Sequence, residues 1–398
     1  MEANTGHSLG VPKKVVILGS TGSIGESALK VARQLGPERM QVVGLAAGKQ
    51  HENLAAQAKE FGVRNLALFD EDGASSLRQA IPDANVGVGL EGLKELAVLA
   101  EADLILVSII GTAGLEPTLA AIEAGKSLAL ASKEILVMAG EVVMATASRK
   151  GVSVLPVDSE HNAIFQCLVG QQNEGSDNVR RLILTASGGP FRNFKEEDLS
   201  KVSVEQALQH PTWQMGKKIT IDSATLFNKG LEMIEARWLF GVGMEQVEAI
   251  VHPQSIIHSM VEYRDGSVLA QLSTTDMCFP IQYAVTYPER CETGLPPLDF
   301  AELAKLEFEA IRENAFPAVR LAREAGLAGG ALPAILNAAN EVAVAAFVEE
   351  KISFTQIAAL VEDVMKQLSD EPGQILGEIL AADTLARVRA KEWIEKIV

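Results

Sequence analysis

The sequence predicts an α/β protein in which an N-terminal doubly wound parallel sheet precedes a central α+β domain and a C-terminal helical bundle. Three observations support this prediction. A glycine-rich turn joins a buried strand to a helix near the N-terminus, continuous apolar runs recur over residues 1–151, and helical periodicity extends over residues 313–398. The 398 residues suffice for about two or three domains.

The composition is that of an ordinary globular protein. Apolar residues make up 47% and charged residues 22% of the chain, and the formal net charge is −17. Because this charge repels polyanions, we expect neither a nucleic-acid nor a membrane partner. The three cysteines have no paired spacing and the N-terminus has no apolar signal segment, so we expect a cytoplasmic location.

The glycine-rich turn is the first candidate binding element. An apolar strand over residues 13–19 leads into Gly19-Ser20-Thr21-Gly22-Ser23-Ile24-Gly25, followed by a helix over 26–35. The spacing is GxxGxxG rather than GxGxxG. In this context the glycines allow the backbone to approach a pyrophosphate, and the helix N-terminus offers free N–H groups to it. Residues 1–151 therefore read as a Rossmann-like dinucleotide-binding domain.

The residues after the second strand (41–47) bear on the choice of cofactor. An NAD site places a carboxylate there, whereas this chain has Gly48-Lys49-Gln50. Lys49 suits the 2′-phosphate of NADP, and a plain surface lysine is the alternative. Further strands are expected at 65–69, 102–110 and 127–131. Ser132-Lys133-Glu134 then lies where such sheets bind ligands, although it also fits an ordinary helix start.

The central domain, expected over 152–290, opens with Asp158-Ser159-Glu160. In a continuing strand the two carboxylates share a face. In a helix that begins at Ser159 they lie near its first turn, where acids are common without any metal. With a third acid nearby, the set would be all oxygen, which suits Mg²⁺ or Mn²⁺ better than Zn²⁺.

Three later stretches offer further candidates. Ser187-Gly188-Gly189, after a strand at 180–185, could wrap an anion or form a tight turn. Residues 187–217 include His210-Pro211-Thr212-Trp213-Gln214-Met215-Gly216, which fits a mobile lid. Residues 218–221 suggest a short strand that enters a helix capped by Asp222 or Ser223.

On that helix, Asn228 and Glu232 share a face with Lys229 alongside, a combination that suits phosphate and metal bound side by side. Glu235 fits either a surface charge or a partner in the neighbourhood of Arg237.

The rest of the chain reads as structural. Residues 251–263 and 267–272 predict a hairpin, in which packing or an interface explains His252 and His258 better than a metal does. A linker is expected at 291–312. Helices are then expected at 316–325, 333–350, 354–368 and 376–397. Asn337, Asn340 and Glu341 could reach an active site, but hydrogen bonding within the bundle is the simpler interpretation.

Taken together, the motifs resemble one family. GSTGSIG, DSEHNAIFQ, TASGGPF, HPTWQMG, DSATLFNKGLEMIEARWLF, VHPQSIIHSMVEYRDGS and NAANEVAVAAF occur in order from about residue 15 to the C-terminal helices. The chain thereby resembles the 1-deoxy-D-xylulose 5-phosphate reductoisomerases, NADPH-dependent enzymes of the non-mevalonate isoprenoid pathway. This resemblance implies a homodimer, a phosphorylated sugar substrate and a divalent cation, which could be Mn²⁺, Mg²⁺ or Co²⁺.

The resemblance also implies residue roles. The metal ligands would be Asp158, Glu160 and Glu232. The substrate contacts would be Lys133, Ser159, Glu160, Ser187, His210, Ser223, Asn228, Lys229 and Glu232, of which Lys133, Glu160, His210 and Glu232 would be catalytic. The NADPH contacts would be Thr21, Gly22, Ser23, Ile24, Gly48, Lys49, Gln50, Ser132, Glu134 and Gly216. The lid would carry Trp213 and Met215.

Two positions depart from the family pattern. Ser132 and Gln50 stand where the family commonly has asparagine, and both lie on the cofactor side. Both side chains keep hydrogen-bonding capacity. We therefore expect the two departures to alter the affinity for the cofactor rather than the activity. Two other interpretations stay open: a metal-free NADP dehydrogenase of a small acidic substrate, and a non-catalytic NADP-sensing protein.

Overall fold

The structure is a computed structural model that describes residues 11–170, 175–210 and 215–397. The β-strands, in chain order, are β1 (Lys13–Leu18), β2 (Met40–Ala47), β3 (Asn65–Leu68), β4 (Asn85–Val88), β5 (Leu104–Val107), β6 (Ser127–Leu130), β7 (Val154–Pro156), β8 (Val179–Ala186), β9 (Val247–Val251), β10 (Ile257–Tyr263) and β11 (Val268–Leu272).

The α-helices, in chain order, are α1 (Ser23–Leu35), α2 (His51–Phe61), α3 (Ala74–Ala80), α4 (Gly89–Ala97), α5 (Leu115–Glu123), α6 (Lys133–Lys150), α7 (Ser159–Leu168), α8 (Val204–Ala207), α9 (Lys217–Thr225), α10 (Phe227–Phe240), α11 (Cys278–Thr286), α12 (Phe300–Leu303), α13 (Ala318–Ala328), α14 (Leu332–Val348), α15 (Phe354–Gln367) and α16 (Leu376–Glu395). No helix among the described residues has the length and apolar character needed to cross a membrane.

The chain forms two compact units. The first consists of the chain up to Ser132 with Thr146–Asp158 and Asp276–Leu295, and the second of Lys133–Ala145, Ser159–Thr275 and the chain from Pro296 onward. The domain boundaries expected from the sequence stay predictions. Residues 276–295 belong to the first unit, where α11 packs on α1 and the Arg39 Nη1 lies 3.1 Å from the Cys291 Sγ.

The first unit contains a seven-stranded sheet in the order β4-β3-β2-β1-β5-β6-β7, in which every pair is parallel. Val15–Leu18 and Leu104–Val107 are buried without alternation, as expected for strands covered on both faces. The strand order reverses between β1 and β5, which is where doubly wound sheets bind ligands. The predicted Rossmann-like fold is confirmed, while the strand β4 was not anticipated.

The second unit contains a four-stranded sheet in the order β11-β10-β8-β9 and the C-terminal helices. The predicted β10–β11 hairpin is antiparallel, whereas β9 runs parallel to β8 and was not expected. One apolar core joins this sheet to the bundle, with Leu184 of β8, Phe227 of α10 and Leu336 of α14 all fully buried. The α+β region and the helical bundle therefore share one interior.

Residues 218–221 are helical, so the short strand expected there was wrong. The β-branched run Ile219-Thr220-Ile221 favours a strand locally, yet α9 begins at Lys217 with Gly216 as its N-cap, so neither Asp222 nor Ser223 caps it. The hydroxyl of Thr220 donates to the Gly216 carbonyl at 2.9 Å, which stabilises the first turn. Burial of Ile221 in the core of the second unit then outweighs the strand propensity.

Candidate active site

The glycine turn lies at the carboxyl end of β1, in the first unit. Gly22 precedes the first residue of α1 with an extended backbone, and Thr21 and Ile24 are half-buried while Ser23 is exposed. A Cβ atom on Gly25 would lie 2.3 Å from the Gly19 carbonyl oxygen, so only glycine allows this close approach of helix and turn. The predicted order of strand, glycine turn and helix is therefore present, and binding of a pyrophosphate at this helix N-terminus stays a prediction.

Gln57 of α2 supports this turn and was not identified from the sequence. Its Oε1 accepts a hydrogen bond from the Ser20 hydroxyl at 2.7 Å, and its Nε2 donates to the Ser20 carbonyl at 3.1 Å and to Glu26 Oε1 at 2.6 Å. Ser20 is fully buried and 37 residues away in the chain. No local pattern signals this partner, because the contact depends on how α2 packs.

The other cofactor candidates of the first unit follow strands β2 and β6. Gly48 and Lys49 are exposed, and the Gln50 Oε1 accepts from Asn53 at 2.6 Å. Ser132 is buried and donates to the Ile109 carbonyl at 2.5 Å. Ser132 therefore has a structural hydrogen bond of its own, which accounts for a small polar residue at this position.

The second unit brings together five predicted site residues, which we call the carboxylate–lysine cluster: Lys133, Glu160, Asn228, Lys229 and Glu232. The Lys133 Nζ, at the start of α6, lies 2.7 Å from Asn228 Oδ1 and 3.0 Å from Glu232 Oε1. These contacts bridge 95 and 99 residues of sequence. Asn228 also donates to Glu232 Oε1 at 2.5 Å, so the predicted shared face of α10 is confirmed.

Lys229 links the two carboxylates of the cluster. Its ammonium donates to Glu160 Oε1 at 2.8 Å and also to Glu232 Oε2. Glu160 lies in the first turn of α7, where the Ser159 hydroxyl donates to its Oε2 at 2.6 Å. Of the two geometries left open for Asp158 and Glu160, the structure therefore has the helix that begins at Ser159.

Burial makes the charges of this cluster strongly interdependent. Glu232 is fully buried and Lys229 is 3% exposed. Burial alone would raise the pKa of Glu160, but the nearby Lys229 ammonium outweighs it and the net pKa falls below its usual range. Burial alone would lower the pKa of Lys229, and the carboxylates of Glu160 and Glu232 raise it overall. Both groups are therefore ionised at neutral pH.

The cluster fits a divalent cation. Glu160 and Glu232 offer carboxylate oxygens from two helices, and the ammonium of Lys229 between them marks a position of strongly negative potential. An all-oxygen set suits Mg²⁺ or Mn²⁺. Asp158 is half-buried and precedes Glu160 by two residues. It is the last residue of the segment Thr146–Asp158, which belongs to the first unit.

His161 and Glu235 form a buried pair that joins α7 to α10 behind the cluster. The His161 Nε2 lies 2.8 Å from the backbone carbonyl oxygen of Glu232, and its Nδ1 lies 3.3 Å from Glu235 Oε2. Both side chains are fully buried. Glu235 is therefore not the surface charge that the sequence allowed. The local spacing could not show that α10 turns this acid toward α7.

A second group, which we call the serine–histidine trio, consists of Ser187, His210 and Ser223. The His210 Nε2 lies 3.2 Å from the Ser187 hydroxyl oxygen and 3.0 Å from that of Ser223. Burial lowers the pKa of His210, so the imidazole is neutral at neutral pH. Hydroxyl and imidazole groups in this arrangement can donate to an anion without a buried charge of their own.

Two glycines set the position of Ser187. Gly188 and Gly189 have φ angles of 83° and 67°, and the Gly189 N–H donates to the Ser187 hydroxyl at 3.2 Å. A Cβ on Gly189 would lie 3.0 Å from the Ala224 Cα and from the Ser223 carbonyl oxygen. Close packing of this turn on α9 therefore brings Ser187 and Ser223 to the same histidine.

The segment predicted as a lid is partly anchored. Phe191 and Leu199 are buried in the core, and Met215 and Gly216 precede α9. Trp213 lies outside the described residues.

The two hairpin histidines have separate environments, since His252 is fully buried and stacks on Phe308 while His258 is buried within β10. Among the described residues, neither belongs to a group of side chains placed to hold a metal.

Comparison with known proteins identifies the family. Residues 15–140 match the model of 1-deoxy-D-xylulose 5-phosphate reductoisomerase, and residues 154–240 and 272–389 match two models of its C-terminal domains. The chain belongs to the 1-deoxy-D-xylulose 5-phosphate reductoisomerase family. It is therefore a member of an oxidoreductase and isomerase family, as the motifs suggested.

Relatives of this family cover nearly the whole chain. The reductoisomerase of Symbiobacterium thermophilum is 54% identical over 388 residues, which cover 96% of this chain and 98% of the relative. That of Chlorobium chlorochromatii is 52% identical over 380 residues, or 95% and 98% of the two chains.

Solved structures of the family agree with the fold. The Zymomonas mobilis reductoisomerase in complex with NADPH has a TM-score of 0.90 and 45% identity, over 96% of this chain and 99% of that chain. A DOX-P reductoisomerase in complex with NADPH, fosmidomycin and magnesium has a TM-score of 0.90 and 41% identity, over 96% and 98%.

Proposed function

We propose that this chain carries out the reaction of its family at the carboxylate–lysine cluster and the serine–histidine trio. With NADPH and a divalent cation, it rearranges and reduces 1-deoxy-D-xylulose 5-phosphate to 2-C-methyl-D-erythritol 4-phosphate. The observation that carries this proposal is the buried Glu232, whose carboxylate is contacted by Lys133, Asn228 and Lys229 at once.

Two kinds of binding group are present in the second unit, and the proposed substrate needs both. Its phosphate would be bound by the hydroxyl groups of Ser187 and Ser223, by the His210 imidazole and by Asn228 and Lys229. Its sugar would contact Lys133 and Ser159. The serine–histidine trio is neutral, so it does not repel a phosphate dianion. The Lys229 ammonium attracts the phosphate locally, although the net charge of the whole protein is −17.

The metal ligands would be Asp158, Glu160 and Glu232. When bound, the cation would polarise the ketose carbonyl and stabilise the oxyanion that develops during the rearrangement. The Lys133 ammonium, which lies against Glu232 and Asn228, would hold the sugar end near these carboxylates. Glu232 is fully buried, so little water reaches its carboxylate.

The cofactor would be NADPH rather than NADH. The glycine turn, with Thr21, Gly22, Ser23 and Ile24, would bind the pyrophosphate through backbone N–H groups. Exposed Lys49 would attract the 2′-phosphate, since the loop with Gly48 and Gln50 offers no carboxylate for a free ribose hydroxyl. Ser132, Glu134 and Gly216 complete the proposed NADPH contacts. Trp213 and Met215 would close over the bound substrate.

A coupled assay that follows NADPH absorbance tests the proposal. We expect NADPH oxidation that depends on 1-deoxy-D-xylulose 5-phosphate and on Mn²⁺, and that stops when EDTA is added in excess. Excess Mg²⁺ or Mn²⁺ should restore the rate. Turnover that is indifferent to EDTA would indicate a metal-free dehydrogenase, and NADPH binding without oxidation would indicate a sensing protein.

The protein would be a homodimer of cytoplasmic location, with β11 at the interface. β11 is an edge strand of the four-stranded sheet, and its Val268 and Leu269 are 48% and 50% exposed. An unpaired edge with apolar side chains is a pairing surface. Leu269→Lys should therefore shift the sedimentation coefficient to that of a monomer, whereas Ile375→Lys, at a residue 61% exposed elsewhere, should not. A monomeric wild type would contradict the proposal.

A further inference from the structure

A largely buried polar network within the second unit is centred on a lysine that has no part in the function proposed above. Its centre is Lys218 in the first turn of α9. The Lys218 Nζ lies 2.6 Å from Asp222 Oδ2 and 3.6 Å from Glu134 Oε1 of α6. The other oxygen of Asp222 accepts a hydrogen bond of 2.8 Å from Asn340 of α14. One ammonium group therefore connects three helices.

The partners of Lys218 are largely removed from water, while its own side chain is 27% exposed. Asp222 is 1% exposed, Asn340 is fully buried and Glu134 is 8% exposed. Burial alone would lower the pKa of Lys218, and the carboxylates of Asp222 and Glu134 raise it overall. Without the ammonium, Asp222 would keep a buried charge whose remaining hydrogen-bond partner among the described residues is the Asn340 amide, an unfavourable arrangement.

The local sequence gives no reason for a cation at this position. Lys217 and Lys218 occupy the first turn of α9, where the partial positive charge of the helix N-terminus disfavours lysine. The side chain of Lys217 is exposed, so water compensates its charge. Lys218 has carboxylate partners from its own helix and from α6, and these tertiary contacts offset the local cost.

The network also adjoins residues with proposed roles. Glu134 and Gly216 are proposed NADPH contacts, and Gly216 lies two residues before Lys218. Asp222 directly precedes Ser223 of the serine–histidine trio. Any movement of the first turn of α9 away from α6 would therefore separate Gly216 from Glu134 and disturb both proposed NADPH contacts.

We propose that Lys218 is a positioning residue, which fixes Glu134 and the Gly216 turn for NADPH through its ion pairs with Glu134 and Asp222. Asn340 supports it by orienting the Asp222 carboxylate, and this explains why Asn340 interrupts the apolar helix α14. The inference rests on the proposed function. It adds Lys218 of α9 as a determinant of the affinity for NADPH.

The test compares Lys218→Met, Lys218→Arg and the matched control Lys217→Met in the full chain. NADPH affinity is measured by fluorescence titration, turnover by NADPH absorbance, and folding by circular dichroism and thermal unfolding. We expect Lys218→Met to raise the Kd and KM for NADPH about tenfold, with kcat changed less than about threefold. Lys218→Arg should recover most of the affinity, and Lys217→Met should match the wild type.

Two results would overturn the inference. One is a folded Lys218→Met protein with wild-type NADPH affinity. The other is a Lys218→Arg protein as weak as Lys218→Met, which would point to packing rather than charge. If Lys218→Met does not fold, Asn340→Ala replaces it, with an expected rise in Kd of about threefold and wild-type affinity as the contrary result. Wild-type NADPH binding without sugar-phosphate turnover would refute the proposed reaction alone, because the titration still tests Lys218.

Discussion

The glycine turn of the first unit and the carboxylate–lysine cluster of the second differ in what holds their side chains in place. The turn is continuous in sequence, and backbone geometry and the neutral amide of Gln57 fix it. The cluster assembles α6, α7 and α10, and ion pairs between buried and half-buried side chains hold it together. Desolvated charges depend on one another far more strongly than neutral groups do. The cluster should therefore be the more sensitive of the two regions to a single substitution.

The largest effect should come from neutralising the centre of the cluster. Glu232→Gln removes a proposed metal ligand and the carboxylate that Lys133 and Lys229 share, so we expect kcat to fall about a thousandfold. NADPH affinity should be unchanged, since Glu232 is not among the proposed NADPH contacts. Steady-state kinetics at limiting Mn²⁺ measure kcat, and a parallel titration measures the affinity for NADPH. Exposed Glu245→Gln is the control, and a wild-type rate for Glu232→Gln would refute the metal assignment.

Gly189→Ala should disturb the serine–histidine trio without replacing any of its members. A Cβ there meets the backbone of α9, and the φ of 67° adds strain. We expect KM for the sugar phosphate to rise about tenfold, measured by varying that substrate at saturating NADPH. Gly170→Ala is the matched control, because Gly170 has a φ of 102° and open space around its Cβ position. Equal effects of the two variants would show that strain alone was responsible.

Gln57→Leu tests the neutral support of the glycine turn. The change removes three hydrogen bonds, two of them to buried Ser20, so we expect the Kd for NADPH to rise about fivefold. The KM for the sugar phosphate should stay constant. Gln79→Leu makes the same chemical change on an exposed face of α3 and should have no effect. A larger loss than that of Glu232→Gln would reverse the comparison between the two regions.

The smallest effect is expected at the exposed end of the cofactor region. Lys49→Ala should reduce the preference for NADPH over NADH about threefold, because an exposed ammonium contributes little in water. The ratio of kcat/KM for the two cofactors measures this, with exposed Lys59→Ala as the control. An unchanged ratio would mean that Lys49 is a plain surface residue.

Several features could be predicted because they depend on short stretches of sequence. The strand, glycine turn and helix at 13–35 follow from apolar continuity and from glycines that permit close approach. The shared face of Asn228 and Glu232 follows from helical spacing. The prediction of a short strand at 218–221 failed because local propensity and packing disagree there. The residues have strand propensity, but burial of Ile221 favours a helix.

By itself, the sequence determined the doubly wound fold, the glycine turn, the all-oxygen character of the proposed metal site and the family. Only the tertiary structure decided which charges share a partner: that Lys133 meets Glu232 across 99 residues, that Glu235 is buried against His161, and that Lys218 joins Glu134 to Asp222. The physical reason is burial. A charged side chain excluded from water requires a partner, and packing of separate helices determines which partner it has.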